Sequence, residues 1–229
     1  KTSATGLRDI EDSVSRALIW GAAWDMTRDA EMSTTDYLAM VLTADLGSIE
    51  IGVAQQLLLQ ARSAIEQFGN PNNRAANRDS LVGALIPALN NAEAGGDHQL
   101  AFVKNISGLA RTPEHIELLK GWLSGSSTPS GLVVDTDLRW QLVARLVALG
   151  ELPESAIDEE LARDNTAGGQ RQAASARAGI LCRWRLDGRT AGCRARAPRR
   201  ADRAHPCRAR SSRARRAARG RRRPRSSCW

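Results

Sequence analysis

Histidine and cysteine are the side chains in this chain best suited to hold a transition metal, and their spacing does not form a known site. The histidines are His98, His115 and His205, and no His-Glu-x-x-His motif places two imidazoles and a carboxylate base on one helix face. The segment 115–117 has the His-x-Glu of zinc deaminases but no Cys-x-x-Cys partner. The four cysteines lie 11, 14 and 21 positions apart, which matches no common zinc spacing. We therefore expect no metal or other cofactor in this chain, and interpret His98 and His115 as ordinary surface or helix-end residues.

Residues that could act as nucleophiles or hold a phosphate also lack the partners that such chemistry needs. Gly95-Gly96-Asp97 is followed by no Lys-Ser/Thr pair, so a turn and a helix N-cap account for it. No Gly-x-Ser-x-Gly elbow is present. Carboxylates cluster at Asp135/Asp137 and at 158–160, where predicted helices begin and the helix dipole favours negative charge. We assign no catalytic residue.

Tryptophan, arginine and aspartate come together in two segments. In the first, Asp25 follows Trp24 directly and Arg28 lies one helical turn later; in the second, Arg139 and Trp140 are adjacent. An arginine can stack on an indole and pair with a carboxylate at the same time. The favoured interpretation is an aromatic core stripe flanked by ion pairs, and the alternative is a polar edge that faces a substrate cavity or a neighbouring domain. These five residues are our candidate cavity or interdomain residues.

The elements that carry these residues are predicted to be helices. Apolar residues recur at three- and four-residue steps, with Val14 and Leu18 on one face of the first helix and a long stripe from Ile49 to Phe68. Further helices are predicted at 77–90, 97–110 and 113–123, and two more, ending near 149 and 161, follow the loop at 124–131.

Residues at the helix ends support these assignments. Ser33 and Thr112 are predicted N-caps, the second followed by a proline at the first helical position, and Gly150 is a predicted C-terminal stop. No segment shows the period-two alternation of a strand. The pattern therefore predicts an all-α fold, either a solenoid of antiparallel helix pairs of the HEAT or armadillo kind or an irregular bundle.

The composition of the chain changes abruptly near Ala178. Residues 1–178 hold 15 Lys+Arg and 23 Asp+Glu, a net charge of −8, whereas residues 179–229 hold 18 Arg and 2 Asp, a net charge of +16, and all four cysteines. Low hydrophobicity with high net charge is typical of disorder. We therefore predict a helical domain over 1–178, incomplete at its end, and a disordered Arg-rich segment over 179–229.

Targeting signals are not evident in the sequence. No apolar run approaches the ~20 residues that span a bilayer, and the N-terminus shows no basic region followed by an apolar one. The chain begins at Lys1 rather than Met, so we expect residues upstream of it in the natural protein. The expected location is cytoplasmic, with no membrane partner.

Four ordered blocks of the first 178 residues have a distinctive sequence, namely 15–32 (SRALIWGAAWDMTRDAEM), 95–102 (GGDHQLAF), 131–140 (GLVVDTDLRW) and 157–167 (IDEELARDNTA). Together these blocks resemble the C-terminal helical domain of bacterial aminopeptidase N, which is similar to that of endoplasmic-reticulum aminopeptidase. The resemblance implies a zinc aminopeptidase parent that removes N-terminal residues from peptides. It also implies that the matching domain is a helical solenoid that covers the active site and encloses part of the substrate cavity.

The family's catalytic motifs, His-Glu-x-x-His and Gly-x-Met-Glu-Asn, do not occur in this sequence, so no catalytic or metal role is carried over. The resemblance therefore implies a non-catalytic fragment that is inactive alone. It would need the parent's catalytic domain as partner and contact peptides through it, and zinc would belong to the parent.

The resemblance fades near Ala178, and the Arg-, Ala-, Pro- and Gly-rich composition that follows is that of a GC-rich gene read in the wrong frame. A frameshift is therefore the favoured origin of 179–229. The alternative functions are nonspecific nucleic-acid binding through this segment, by release of counterions from phosphates, and a helical protein-interaction scaffold.

Overall fold

The computed structural model describes residue 10 and residues 12–186 of the 229-residue chain. Within that part, the chain forms nine α-helices and no strand, which confirms the predicted all-α class. The helices are α1 (Ser13–Arg28), α2 (Thr34–Thr43), α3 (Ile51–Ser63), α4 (Arg74–Asn91), α5 (Asp97–Leu109), α6 (Pro113–Ser124), α7 (Thr136–Leu149), α8 (Ser155–Arg163) and α9 (Ala167–Leu186). Residues 179–186 of the segment predicted to be disordered belong to α9, so the prediction is wrong for them, and the rest of 179–229 lies outside the described residues.

The predicted helix ends are confirmed where a side chain or a glycine marks them. Ser33 Oγ accepts a hydrogen bond from the backbone N–H of Asp36 at 3.0 Å, and Thr112 caps α6 ahead of the proline at its first position. Gly150 ends α7 with φ at +81°, a left-handed conformation that residues with a Cβ rarely adopt. Asp135 caps α7 and accepts from the N–H of Leu138 at 2.8 Å.

Two elements differ from the sequence analysis. The stripe from Ile49 to Phe68 forms one unbroken helical segment from Ile51 onward that ends at Gly69 as predicted, but its last turn, Ala64–Phe68, is π-helical rather than α-helical. The sequence analysis also assigns no helix beyond residue 161, whereas α9 continues without a break through Ala178. From residue 167 to 179 the missed helix contains no large apolar residue, and it is buried there through the small side chains of Ala173 and Ala176, so the usual apolar stripe is absent from most of its length.

Alternate helices pack against one another along the chain. The helix α3 contacts α5, α5 contacts α7, and α7 contacts α9, while α4 lies against α5 and α8 bridges α7 and α9. A main core runs from α1 to α7, and a second apolar cluster joins the last three helices. The members of that second cluster are Trp140, Val143, Val147, Ile157, Ala173 and Ala176.

The apolar face predicted for the first helix is only partly buried. Val14 and Leu18 are exposed, and the buried residues of α1 are Trp20, Ala23 and Thr27. The contacts described for α1 are with α2 and α3, so one face of this helix suffices to meet its neighbours. None of the helices between residues 12 and 186 is long and apolar enough to cross a membrane.

Candidate functional site

Trp24, Asp25 and Arg28 lie together on the last two turns of α1. The half-buried Trp24 ring lies 5.5 Å from the ring of Tyr37 and 5.6 Å, edge to face, from that of Phe68. Arg28 Nη1 lies 3.3 Å from Asp25 Oδ1, with 54% of the Arg28 side chain and 67% of the Asp25 side chain exposed. The indole is therefore anchored in an aromatic group, while the ion pair faces solvent.

Arg139 makes a two-pronged ion pair with Glu160. Its Nε and Nη2 donate to the two carboxylate oxygens, each at 2.9 Å, and only 4% of the Glu160 side chain is exposed. The hydrogen bond to Glu160 raises the pKa of Arg139. Arg163 adds a second cation at 3.3 Å from Glu160. This geometry joins α7 to α8, because a charge-assisted pair with two parallel bonds fixes both distance and orientation.

Trp140 is buried and also reaches across to the end of α8. Its Nε1 donates to Asp164 Oδ2 at 2.8 Å, and Asp164 further accepts from Thr166 Oγ1 at 2.7 Å. Hydrogen bonds from Thr166 and then Trp140 lower the pKa of Asp164. A Cβ on the buried Gly169 would overlap the Asp164 carbonyl, so only glycine lets α9 begin this close to it.

The structure does not bring the two groups of candidate residues into one site. The group on α1 lies against α2, α3 and the π-helical turn, whereas Arg139 and Trp140 lie among α6, α8 and α9. Arg139 also lines a groove of about 360 Å³ together with Lys120, Leu152 and Glu160. Two separate surfaces therefore carry the predicted residues.

Sequence reasoning missed Glu160 and Asp164 as the partners of Arg139 and Trp140. Each pair is separated by more than twenty residues, so no local spacing reveals it. A signal for Glu160 does exist, because it follows the buried Ile157 by three positions and so lies on the apolar face of α8. A carboxylate on such a face needs a cationic partner.

The described residues contain no group of three or more His, Cys, Asp or Glu side chains arranged to hold a metal ion. His98 Nε2 lies 2.8 Å from the carbonyl of Ile49, a contact that ties α5 to the start of α3. His115 lies in the first turn of α6, where its backbone N–H meets the Thr112 cap, and its Nδ1 is buried without a hydrogen-bond partner.

Comparison with known proteins gives two matches. The sequence model of the family described as "ERAP1-like C-terminal domain" matches residues 2–186. The chain is also 48% identical over 172 residues to aminopeptidase N of Streptomyces lividans, an alignment that covers 75% of this chain and 20% of that protein. The chain thus spans about a fifth of the length of this relative.

Proposed function

The chain belongs to the family of ERAP1-like C-terminal domains, and from that premise we propose that it is the non-catalytic C-terminal part of a zinc-dependent aminopeptidase N. In this proposal the parent removes N-terminal residues from peptides. The helical domain packs on the parent's catalytic domain and encloses the substrate cavity, which keeps water and folded proteins from the reacting bond. The family match over residues 2–186 is the observation that carries the proposal.

The packing of the described helices supports a solenoid as the form of this enclosure. The successive contacts of α3, α5, α7 and α9 resemble one layer of a stack in which each repeat meets its neighbours. Such a layer can present an extended surface without a deep pocket of its own. We propose that this surface is the one that covers the cavity.

Of the five candidate residues, Asp25 and Arg28 are the ones available to a second domain. More than half of each of these side chains is exposed. Arg139 and Trp140 already have partners within the chain, which favours a structural role for them. Trp24 is held between Tyr37 and Phe68, so we propose that it positions α1 for contact with the catalytic domain.

The proposal is tested by combining this chain with the catalytic portion of the Streptomyces lividans enzyme, prepared without its own matching region. We expect the purified chain alone to contain no stoichiometric zinc and to cleave no aminoacyl fluorogenic substrate. Its addition should alter peptide cleavage by the catalytic portion, and Arg28→Glu should weaken that effect more than Arg177→Glu, which reverses the charge of another partly exposed arginine. Aminopeptidase activity from the chain alone that a chelator abolishes would sink the proposal.

Two other functions remain predictions from the sequence. Nonspecific nucleic-acid binding depends on the 18 arginines of 179–229, nearly all outside the described residues. Deletion of 179–229 tests this function, and an unchanged affinity of the shortened chain for RNA would contradict it. The gene context distinguishes a helical interaction scaffold from the aminopeptidase fragment, since an upstream reading frame with the zinc motif favours the fragment.

The cytoplasmic location also stays a prediction. The frameshift origin of 179–229 is a prediction too, and the nucleotide sequence near codon 178 would test it.

A further inference from the structure

A groove of about 680 Å³ runs beside α3, α5, α7 and α9, and we call it the basic groove. Three cationic side chains from three different helices line it, Arg62 on α3, Lys104 on α5 and Arg145 on α7. Polar groups also line it, and Gln141 Nε2 donates to the carbonyl of Lys104 at 2.7 Å and to Ser107 Oγ.

Arg145, which lines this groove, has a donor without a partner. Its Nη2 donates to the carbonyl of Ala110 at 2.7 Å, while its Nε is buried and has no hydrogen-bond partner. A buried N–H group of a cation without an acceptor costs the fold stability. The Arg145 side chain as a whole is half-buried and lines the groove, so a turn of its guanidinium toward an acceptor supplied from outside the chain would remove that cost.

A fourth cation lies next to Arg145, although it does not line the groove itself. Arg111 Nη1 donates at 2.9 Å to the same Ala110 carbonyl that accepts from Arg145, so two guanidinium groups converge on one oxygen. Desolvation and then the positive charges of Arg78 and Arg62 lower the pKa of Arg111, while the carboxylate of Glu66 acts in the opposite direction. The cations in this region therefore repel one another.

Few carboxylates among the described residues lie beside these cations. Among the residues that the structure describes, Asp137 is the one acidic side chain lining the groove. No described ion pair includes Arg62, Lys104, Arg111 or Arg145. The nearby Glu66 is held by Arg78, whose Nε and Nη2 donate to its two oxygens at 2.6 Å each. This excess of positive charge stands out because residues 1–178 carry a net charge of −8.

We infer that the basic groove binds an oxyanion, either a phosphate or a carboxylate group, between Arg62, Lys104 and Arg145. Both groups offer several acceptor oxygens with concentrated negative charge. Arginine donors form the strongest hydrogen bonds with such acceptors, and a groove with protein walls strengthens the attraction. Gly108 helps to place Arg62, because the Arg62 guanidinium lies 2.9 Å from the position that a Cβ on this residue would occupy. This inference does not depend on the proposed aminopeptidase parent.

The test follows the arginine side-chain N–H signals of the full-length chain by NMR during separate titrations with sodium phosphate, sodium acetate and sodium chloride at equal ionic strength. The Arg145 Nε–H signal is identified by its loss in Arg145→Lys. We expect it to shift in a saturable manner with phosphate or with acetate, and the anion that saturates identifies the source of the oxyanion. Chloride should produce no saturable shift.

Two variants that each remove one positive charge distinguish anion binding in the groove from anion binding by the arginines of 179–229, which are present in every sample. Arg62→Gln removes an exposed side chain of the groove and should weaken binding about tenfold, the loss of one charge-assisted hydrogen bond. Arg28→Gln removes an exposed charge on α1, outside the groove, and should leave binding unchanged. The inference is overturned if neither anion gives a saturable shift, or if the two variants weaken binding equally.

Discussion

The ion pair of α1 and the ion pair of α7 use the same chemistry in two different settings. Arg28 meets Asp25 through a single contact at 3.3 Å, and both side chains are more than half exposed. Arg139 meets Glu160 through two bonds of 2.9 Å, with 26% and 4% of the two side chains exposed. The first pair joins residues of one helical turn, whereas the second joins two helices. The comparison shows that an arginine is held firmly when its carboxylate partner lies on another helix. A local grouping of Trp, Arg and Asp along the sequence does not by itself indicate such a partner.

The largest expected difference between the two regions is in the response to removing a carboxylate charge. Glu160→Gln leaves the guanidinium of Arg139 without a buried counter-charge and should lower the free energy of unfolding by about 3 kcal/mol. Asp25→Asn should change it by less than about 0.5 kcal/mol, because exposed pairs contribute little. Urea denaturation of both variants measures the difference, and equal losses would remove the contrast.

A second contrast comes from adding one methyl group in each region. Gly169→Ala places a Cβ against the carbonyl of Asp164 and should lower the free energy of unfolding by about 2 kcal/mol. Gly21 lies inside α1 with nothing within 4 Å of the added Cβ, so Gly21→Ala should raise it by about 0.5 kcal/mol or more. Thermal unfolding of the two variants shows whether each substitution raises or lowers the stability, and a lower stability in both variants would contradict this account.

The two tryptophans offer a third, smaller contrast. Trp140→Phe removes the N–H that Asp164 accepts and part of a fully buried ring, and should cost about 1.5 kcal/mol. Trp24→Phe keeps an aromatic ring between Tyr37 and Phe68, so its expected cost is about 0.5 kcal/mol. The free energies of unfolding of the two variants show which substitution costs more. A larger loss for Trp24→Phe would indicate that α1 is the more tightly packed helix and would contradict the expected order.

The smallest effect is a dependence on acidity. The pKa of Asp164 is lowered in the folded chain, so its stabilising effect is present above the unfolded pKa of about 4 and is lost as the pH falls through the folded value. Asp164→Asn should therefore flatten the acid limb of a plot of unfolding free energy against pH. Trp140→Phe should flatten it in part, because one of the two side-chain donors remains. An unchanged acid limb in Asp164→Asn would exclude this contribution.

The all-helical class and most helix ends could be predicted because they depend on neighbouring residues. Ser33, Thr112 and Gly150 act within a few positions of where they stand, and all three mark helix ends in the structure. The contacts of Arg139 with Glu160 and of Trp140 with Asp164 could not be predicted in this way. These contacts depend on how α7 packs against α8, and the apolar periodicity of each helix gives no information on that packing.

The π-helical turn at Ala64–Phe68 has a consequence for comparing relatives of this chain by alignment. A π turn holds about one residue more than an α-helical turn, because its hydrogen bonds join residues five positions apart rather than four. It places Phe68 edge to face against Trp24 while Ile65 stays buried. We expect relatives whose helix ends in an ordinary α-helical turn to show a one-position gap here and to lack an aromatic pair at these two positions. The sequences alone would then indicate which relatives share the π turn.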